Sequence, residues 1–202
     1  MKLLNLACNG HRPPEPFINI DILRTQLHLG TPERHNLDQE TNYIEHNLVN
    51  GIPFEDNSCD GIFASHFIEH LDAQESVSLF RECYRVLVPG GILVVSVPDA
   101  TYFRSVYDKD NVENSIDLFG EPIHCWNVNG EIVGPFNKFF DYALFHHEHK
   151  QILTEDGLWA LMVKGGFANA STSFDSERAE FPILKDALNR SKFSLVMWGT
   201  KL

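Results

Sequence analysis

Cysteines, long apolar segments and basic residues are all scarce in this sequence. The four cysteines, Cys8, Cys59, Cys83 and Cys125, show no C-x-x-C spacing. Reduced thiols are therefore expected, with neither a disulfide framework nor a zinc knuckle. No segment approaches the roughly 20 apolar residues of a membrane-spanning helix, and the apolar stretch at the start is too short for a secretion signal. We expect a cytoplasmic protein with no membrane partner.

The net charge of the chain limits the kinds of partner that are expected. The chain carries 16 basic against 28 acidic side chains, which gives a formal net charge of −12. Such a surface repels phosphate backbones at long range, so a nucleic-acid partner is not expected. Neutral or cationic small molecules are favoured instead. The length of 202 residues suits one domain, and we expect residues 1–202 to form it.

Two apolar segments separated by a helical pattern predict an α/β fold. Residues 59–65 and 91–97 are nearly continuous apolar sequence, as in buried parallel strands. Between them, Asp72 and Glu75 have the spacing of a helix N-terminal capping box, and apolar residues then recur at helical spacing as far as Leu87. This strand, helix and strand order is typical of a mostly parallel sheet.

Shorter patterns predict the rest of the fold. Further strands are expected at residues 3–7, 17–21 and 43–48, a late helix between Thr154 and Gly165, and a final antiparallel pair at residues 167–174 and 193–200.

Two connections are unusual in such a fold. Only six residues, three of them proline, separate Gly10 from Phe17, so the usual first helix is expected to be missing and one sheet face to be thinly covered. Residues 100–148 break the strand and helix rhythm with aromatic and turn residues. We interpret them as a lid or substrate-recognition insertion.

From Leu3 to Leu202, and most strongly between Pro53 and Asp99, the chain resembles the class I S-adenosylmethionine-dependent methyltransferases, in particular the type 11 group. The similarity is carried by the strand ending in Ser65-His66, the following helix, and the Pro89-Gly90-Gly91 turn before the next strand. It implies a Rossmann-like class I methyltransferase fold with a C-terminal antiparallel hairpin. It also implies S-adenosyl-L-methionine as cofactor and methyl transfer to an oxygen or nitrogen of a small polar acceptor.

The resemblance implies positions for the cofactor contacts. The turn after the first strand stands where the family's backbone approaches the methionine part, although it has less glycine than usual. An acid after the second strand corresponds to the ribose ligand, and a polar and apolar pair corresponds to the adenine contacts. The tip of the fourth strand lines the methyl-transfer crevice. The cofactor-binding residues are therefore expected to be Ala7, Cys8, Asn9, Gly10, Asp21, Ile22, Asn47, Leu48, Ser65 and His66.

Histidines supply the candidate catalytic bases, His66 and His147. His147 belongs to the cluster His146-His147-Glu148-His149, which could be a metal cluster, a base or a solvated turn. Residues 66–70 also spell H-x-x-E-H, a zinc-peptidase signature. That motif requires a helix beginning before His66, where a strand is predicted instead. The peptidase is thus a remote alternative, and no metal site is predicted.

A second hypothesis is a catalytically weak methyltransferase-like chain that serves as a binding or partner subunit. The glycine-poor turn and Asn47 in place of the family's usual aspartate motivate it. A thinly covered sheet face would offer an apolar contact surface, for example for a homodimer.

Overall fold

The computed structural model describes residues 1–8, 16–22, 42–101, 149–173 and 194–202. Most of the predicted insertion at 100–148 lies outside the described residues, as does the link from residue 9 to residue 15 on which the missing first helix was predicted.

A six-stranded sheet in the order β3-β2-β1-β4-β5-β6 organises the chain. Neighbours from β3 to β5 run parallel, and β6 is antiparallel to β5. This confirms the predicted α/β class. The strands are β1 (Leu3–Leu6), β2 (Phe17–Asp21), β3 (Tyr43–Glu45), β4 (Cys59–Ser65), β5 (Leu87–Pro98) and β6 (Ser194–Thr200).

Helix α1 (Ala73–Val86) begins with the predicted capping box. The backbone N–H of Glu75 donates to Asp72 Oδ1 at 2.8 Å, and the backbone N–H of Asp72 donates to Glu75 Oε2 at 2.8 Å. These two bonds satisfy amide groups that the first helical turn leaves without partners. Helix α2 (Glu155–Lys164) is capped by Thr154 and ends at Gly165, also as predicted.

Both helices pack on one face of the sheet and enclose the main core. Phe80 of α1 and Leu158 of α2 are fully buried there, together with Phe167 just beyond α2. The two helices approach closely, because a Cβ atom at Gly165 would lie only 2.2 Å from Phe80 Cβ. A smaller apolar cluster on the opposite face includes Phe63.

The last strand pairs with β5 along its whole length, from Ile92 with Thr200 to Pro98 with Ser194. Residues 167–173, predicted as a strand, contribute one isolated antiparallel bridge between Ser171 and Trp198. At this bridge the N–H of Ser171 donates to Trp198 O at 2.9 Å, and the N–H of Trp198 donates to Ser171 O at 3.0 Å.

Two short 3-10 helices complete the described chain: η1 (Leu48–Asn50) and η2 (Ile68–His70). No helix among the described residues is long and apolar enough to cross a lipid bilayer.

Candidate functional site

Three neighbouring strands end at the same level of the sheet. Leu6 of β1 is in register with Ile20 of β2 and with Ala64 of β4, so the residues that follow, Asp21 and Ser65, lie on either side of the β1 tip. Because adjacent strands are about 4.8 Å apart, the backbones of Asp21 and Ser65 are separated by roughly 10 Å. The carboxyl edge of such a sheet is where α/β proteins bind ligands.

The turns after β1 and β4 have an uncommon backbone conformation. Ala7 has φ 51° and His66 has φ 52°, in the left-handed region that residues other than glycine seldom adopt. The N–H of Ala7 donates to Ile20 O at 2.7 Å, and the N–H of His66 donates to Ser96 O at 2.8 Å. Left-handed residues held in this way cluster at ligand sites. Neither alanine nor histidine indicates this conformation in the sequence.

The tips of β4 and β5 hold two hydroxyl groups with unused hydrogen-bonding capacity. Ser65 and Ser96 are in register, and among the described residues neither buried Oγ has a hydrogen-bond partner. An unpaired buried hydroxyl costs about 1–3 kcal/mol. A polar ligand atom at the strand tips would remove that cost for Ser65.

Asp21 is half-buried at the end of β2. Its Oδ1 accepts a hydrogen bond from the N–H of Ile22 at 2.7 Å, and its backbone carbonyl accepts from Tyr43 Oη at 3.0 Å. The first bond orients the carboxylate, which can accept about four hydrogen bonds in total, and the second fixes the backbone at the strand end. The adjoining Ile22 side chain is 43% exposed, which is unusual for isoleucine. An acid and an exposed apolar side chain therefore stand together at this tip.

Asn47 and Leu48, the expected adenine contacts, belong to the local structure of η1. Asn47 Oδ1 accepts from the N–H of Val49 at 3.1 Å and caps that short helix. Leu48 is 5% exposed and packs in the main core. The exposed apolar side chain beside Asp21 is thus Ile22. Its side chain is more accessible to an adenine ring than that of Leu48.

The side chains of Ser194 and Glu69 lie beside the two ring nitrogens of His66. Its Nε2 lies 2.9 Å from Ser194 Oγ, and its Nδ1 lies 3.5 Å from Glu69 Oε1. Ser194 is 128 residues away in the chain, and no local pattern connects the two. The backbone at His66 is left-handed and η2 begins only at Ile68. The single helix that the H-x-x-E-H peptidase motif requires is therefore not formed.

Comparison with known proteins agrees with this geometry. A sequence model of the family described as a methyltransferase domain, type 11, matches residues 4–95, which carry the strand tips described above. Residues 4–95, a little under half of the chain, are therefore similar to a methyltransferase domain. No curated protein sequence matches it.

Solved structures share the methyltransferase fold at low sequence identity. A methyltransferase from Archaeoglobus fulgidus is 13% identical with a TM-score of 0.52, covering 99% of this chain and 86% of that one. One from Mesorhizobium loti is 15% identical with a TM-score of 0.53, covering 98% and 90%. A Thermotoga maritima structure, described as a possible histamine N-methyltransferase, is 16% identical with a TM-score of 0.54, covering 100% and 82%.

The remaining predicted site residues are placed as follows. Cys8 is 5% exposed and follows the left-handed Ala7, so its backbone lies at the β1 tip while its side chain is buried. Asn9, Gly10 and His147 lie outside the described residues.

Proposed function

We propose that this methyltransferase transfers a methyl group from S-adenosyl-L-methionine to an oxygen or nitrogen atom of a small polar acceptor, at the carboxyl ends of β1, β2 and β4. The observation that carries the proposal is the alignment of Ala7, Asp21 and Ser65 along one sheet edge, where Ser65 has a buried hydroxyl without a partner among the described residues. The similarity of residues 4–95 to a methyltransferase domain favours the same cofactor.

The residues at this edge suit the cofactor's chemistry. The Asp21 carboxylate would accept the ribose hydroxyls, and Ile22 would cover one side of the adenine ring. The backbone of the left-handed turn at Ala7 would contact the methionine part, and Ser65 Oγ would bond a polar atom nearby. When bound, the cofactor supplies an activated methyl group on its sulfonium. The protein's contribution is then alignment and exclusion of water, worth up to about 7–11 kcal/mol in well-oriented systems.

The acceptor is inferred from charge. With a net charge of −12, neutral or cationic molecules approach this protein more readily than anions. The roles of His66 and His147 as general bases stay predictions, since both ring nitrogens of His66 face side chains of the protein itself.

Calorimetric titration with S-adenosylhomocysteine tests the cofactor site. Asp21→Asn preserves the shape of the side chain and removes its charge. It should weaken binding by about tenfold or more, because hydrogen bonds to a charged group contribute about 1.5–3 kcal/mol. The matched control is Asp156→Asn, an exposed acid in the first turn of α2, which should bind like the wild type.

Two results would count against the proposal. Equal affinity of the wild type and Asp21→Asn would remove Asp21 from the site. Absence of binding by the wild type at millimolar ligand would instead favour the partner-subunit hypothesis. A ligand at one hundred times its dissociation constant adds about 2.7 kcal/mol of stability, so a thermal shift provides an independent readout.

A further inference from the structure

A buried carboxylate surrounded by histidines lies immediately beyond the β4 tip. Glu69 is 2% exposed, and among the described residues neither of its carboxylate oxygens has a hydrogen-bond partner. His149 Nε2 lies 4.0 Å from Glu69 Oε1, and His66 Nδ1 lies 3.5 Å from the same oxygen. The His70 and His149 rings meet edge to face, with centroids 4.7 Å apart.

Such a carboxylate requires a positive partner. An ionised carboxyl group removed from water without compensation is costly, so buried acids are neutralised, paired with a cation or bound to a metal. Glu69 faces imidazole nitrogens at distances longer than a hydrogen bond. A cation between the carboxylate and the His149 imidazole would supply the partner that the two Glu69 oxygens lack among the described residues.

The backbone around this cluster is fixed before any ligand binds. Glu69 and His70 are consecutive residues of η2. The N–H groups of Lys150 and Gln151 both donate to Glu69 O, at 2.7 and 3.2 Å, and so hold His149 against η2.

The side chain of Gln151 makes a second set of hydrogen bonds between these segments. Its Nε2 donates to Ile68 O at 3.0 Å and to Ser76 Oγ at 2.8 Å. Two segments about eighty residues apart are thereby joined at the cluster.

We propose that Glu69, His70 and His149 form a binding site for a divalent transition-metal cation of the zinc class. Their ligand atoms all lie within 4.8 Å of one another. Ligands about 2.1 Å from a tetrahedral zinc ion are roughly 3.4 Å apart, so modest side-chain rotations close the site. One carboxylate and two imidazoles are a ligand set that zinc accepts with a fourth position open.

The cation would link the segment at His149 to the residues just after β4, beside the strand ends proposed to bind the cofactor. The site does not depend on the proposed methyl transfer, because none of its three residues is assigned a cofactor contact.

Zinc titration of the 202-residue chain, stripped beforehand with a chelator, tests the site. Calorimetry should show one Zn²⁺ per wild-type chain. Glu69→Gln keeps the side-chain shape and should weaken binding by at least about tenfold, as should His149→Gln. The matched control is His46→Gln, whose imidazole Nε2 instead contacts Gly51 O at 3.0 Å. This variant should bind zinc like the wild type.

Thermal unfolding separates loss of the site from loss of the fold. Without metal, Glu69→Gln should melt at or above the wild-type temperature, because it removes a buried charge. Excess zinc should raise the melting temperature of the wild type and leave that of Glu69→Gln unchanged.

The proposal is overturned if the wild type binds no stoichiometric zinc, or if Glu69→Gln binds it as tightly as the wild type. Either result leaves the S-adenosylhomocysteine titration, and with it the proposed function, untouched.

Discussion

Replacing Gly165 by alanine should destabilise the protein through the contact between α1 and α2. The Gly165 backbone is ordinary, with φ −79° and ψ −9°, so backbone strain contributes nothing. The added Cβ would instead lie 2.2 Å from Phe80 Cβ, more than 1 Å inside normal contact. Because Phe80 Cβ is attached directly to the α1 backbone, the helices must separate. Overpacking of this kind costs about 1–3 kcal/mol, and the upper end is expected here.

A matched control lies on the same helix. At Gly157 an added Cβ would be 3.4 Å from Thr154 Oγ1, an ordinary contact. Gly157→Ala should therefore stabilise by about 0.4–1 kcal/mol, since glycine loses more backbone entropy on folding. For a chain of this size 1 kcal/mol corresponds to about 2–4 °C. We expect Gly165→Ala to melt about 6–12 °C lower and Gly157→Ala slightly higher. Equal melting temperatures for Gly165→Ala and wild type would refute the close approach of the helices.

Two further predictions concern the loop before β4 and the buried thiols. Arg85 donates to the carboxylates of Glu82 and Asp56 and to two loop carbonyls, so Arg85→Met should cost about 1–3 kcal/mol in urea denaturation after allowance for partial exposure. Arg85 holds the pKa of Glu82 below its ordinary 4.5. The stability difference between wild type and variant should therefore be full above pH 4.5 and shrink as the pH falls, and a constant difference would contradict this. Burial raises the pKa of Cys59 and Cys83, so neither thiol should react with Ellman's reagent in native protein at pH 8. Both should react after denaturation, and rapid native reaction of either would contradict their burial.

Elements with strong local patterns could be predicted from the sequence. Helix α1 combines a capping box with an apolar face, and both are readable within a few residues. Strand β3 is shorter than the sequence predicts. It ends at Glu45, whereas residues 46–48 are predicted to continue it. Asn47 instead accepts a hydrogen bond from Val49 and starts η1. An asparagine side chain that accepts a hydrogen bond from the nearby backbone competes with strand formation, and the strand prediction leaves this competition out.

Long-range contacts could not be predicted in the same way. The pairing of β6 with β5 brings Ser194 to His66. This pairing depends on how the whole sheet is assembled. The same applies to Glu69, which the H-x-x-E-H pattern marked only as part of a peptidase motif. Its burial beside His149 follows from backbone hydrogen bonds to residues about eighty positions away. Sequence spacing contains no information on such a contact.

The left-handed backbone at Ala7 makes the shortage of glycine after β1 compatible with the proposed cofactor site. Glycine is favoured in such turns because it adopts positive φ easily and lets a ligand approach the backbone. Ala7 has φ 51° and is held there by its hydrogen bond to Ile20 O, and its methyl group adds little bulk. The conformation is therefore supplied by the sheet and not by the residue type. His66 shows the same behaviour at the neighbouring β4 tip, held by Ser96 O. Two left-handed residues on adjacent strands, each at a cost of about 1–3 kcal/mol, are better explained by a ligand-binding edge than by packing alone.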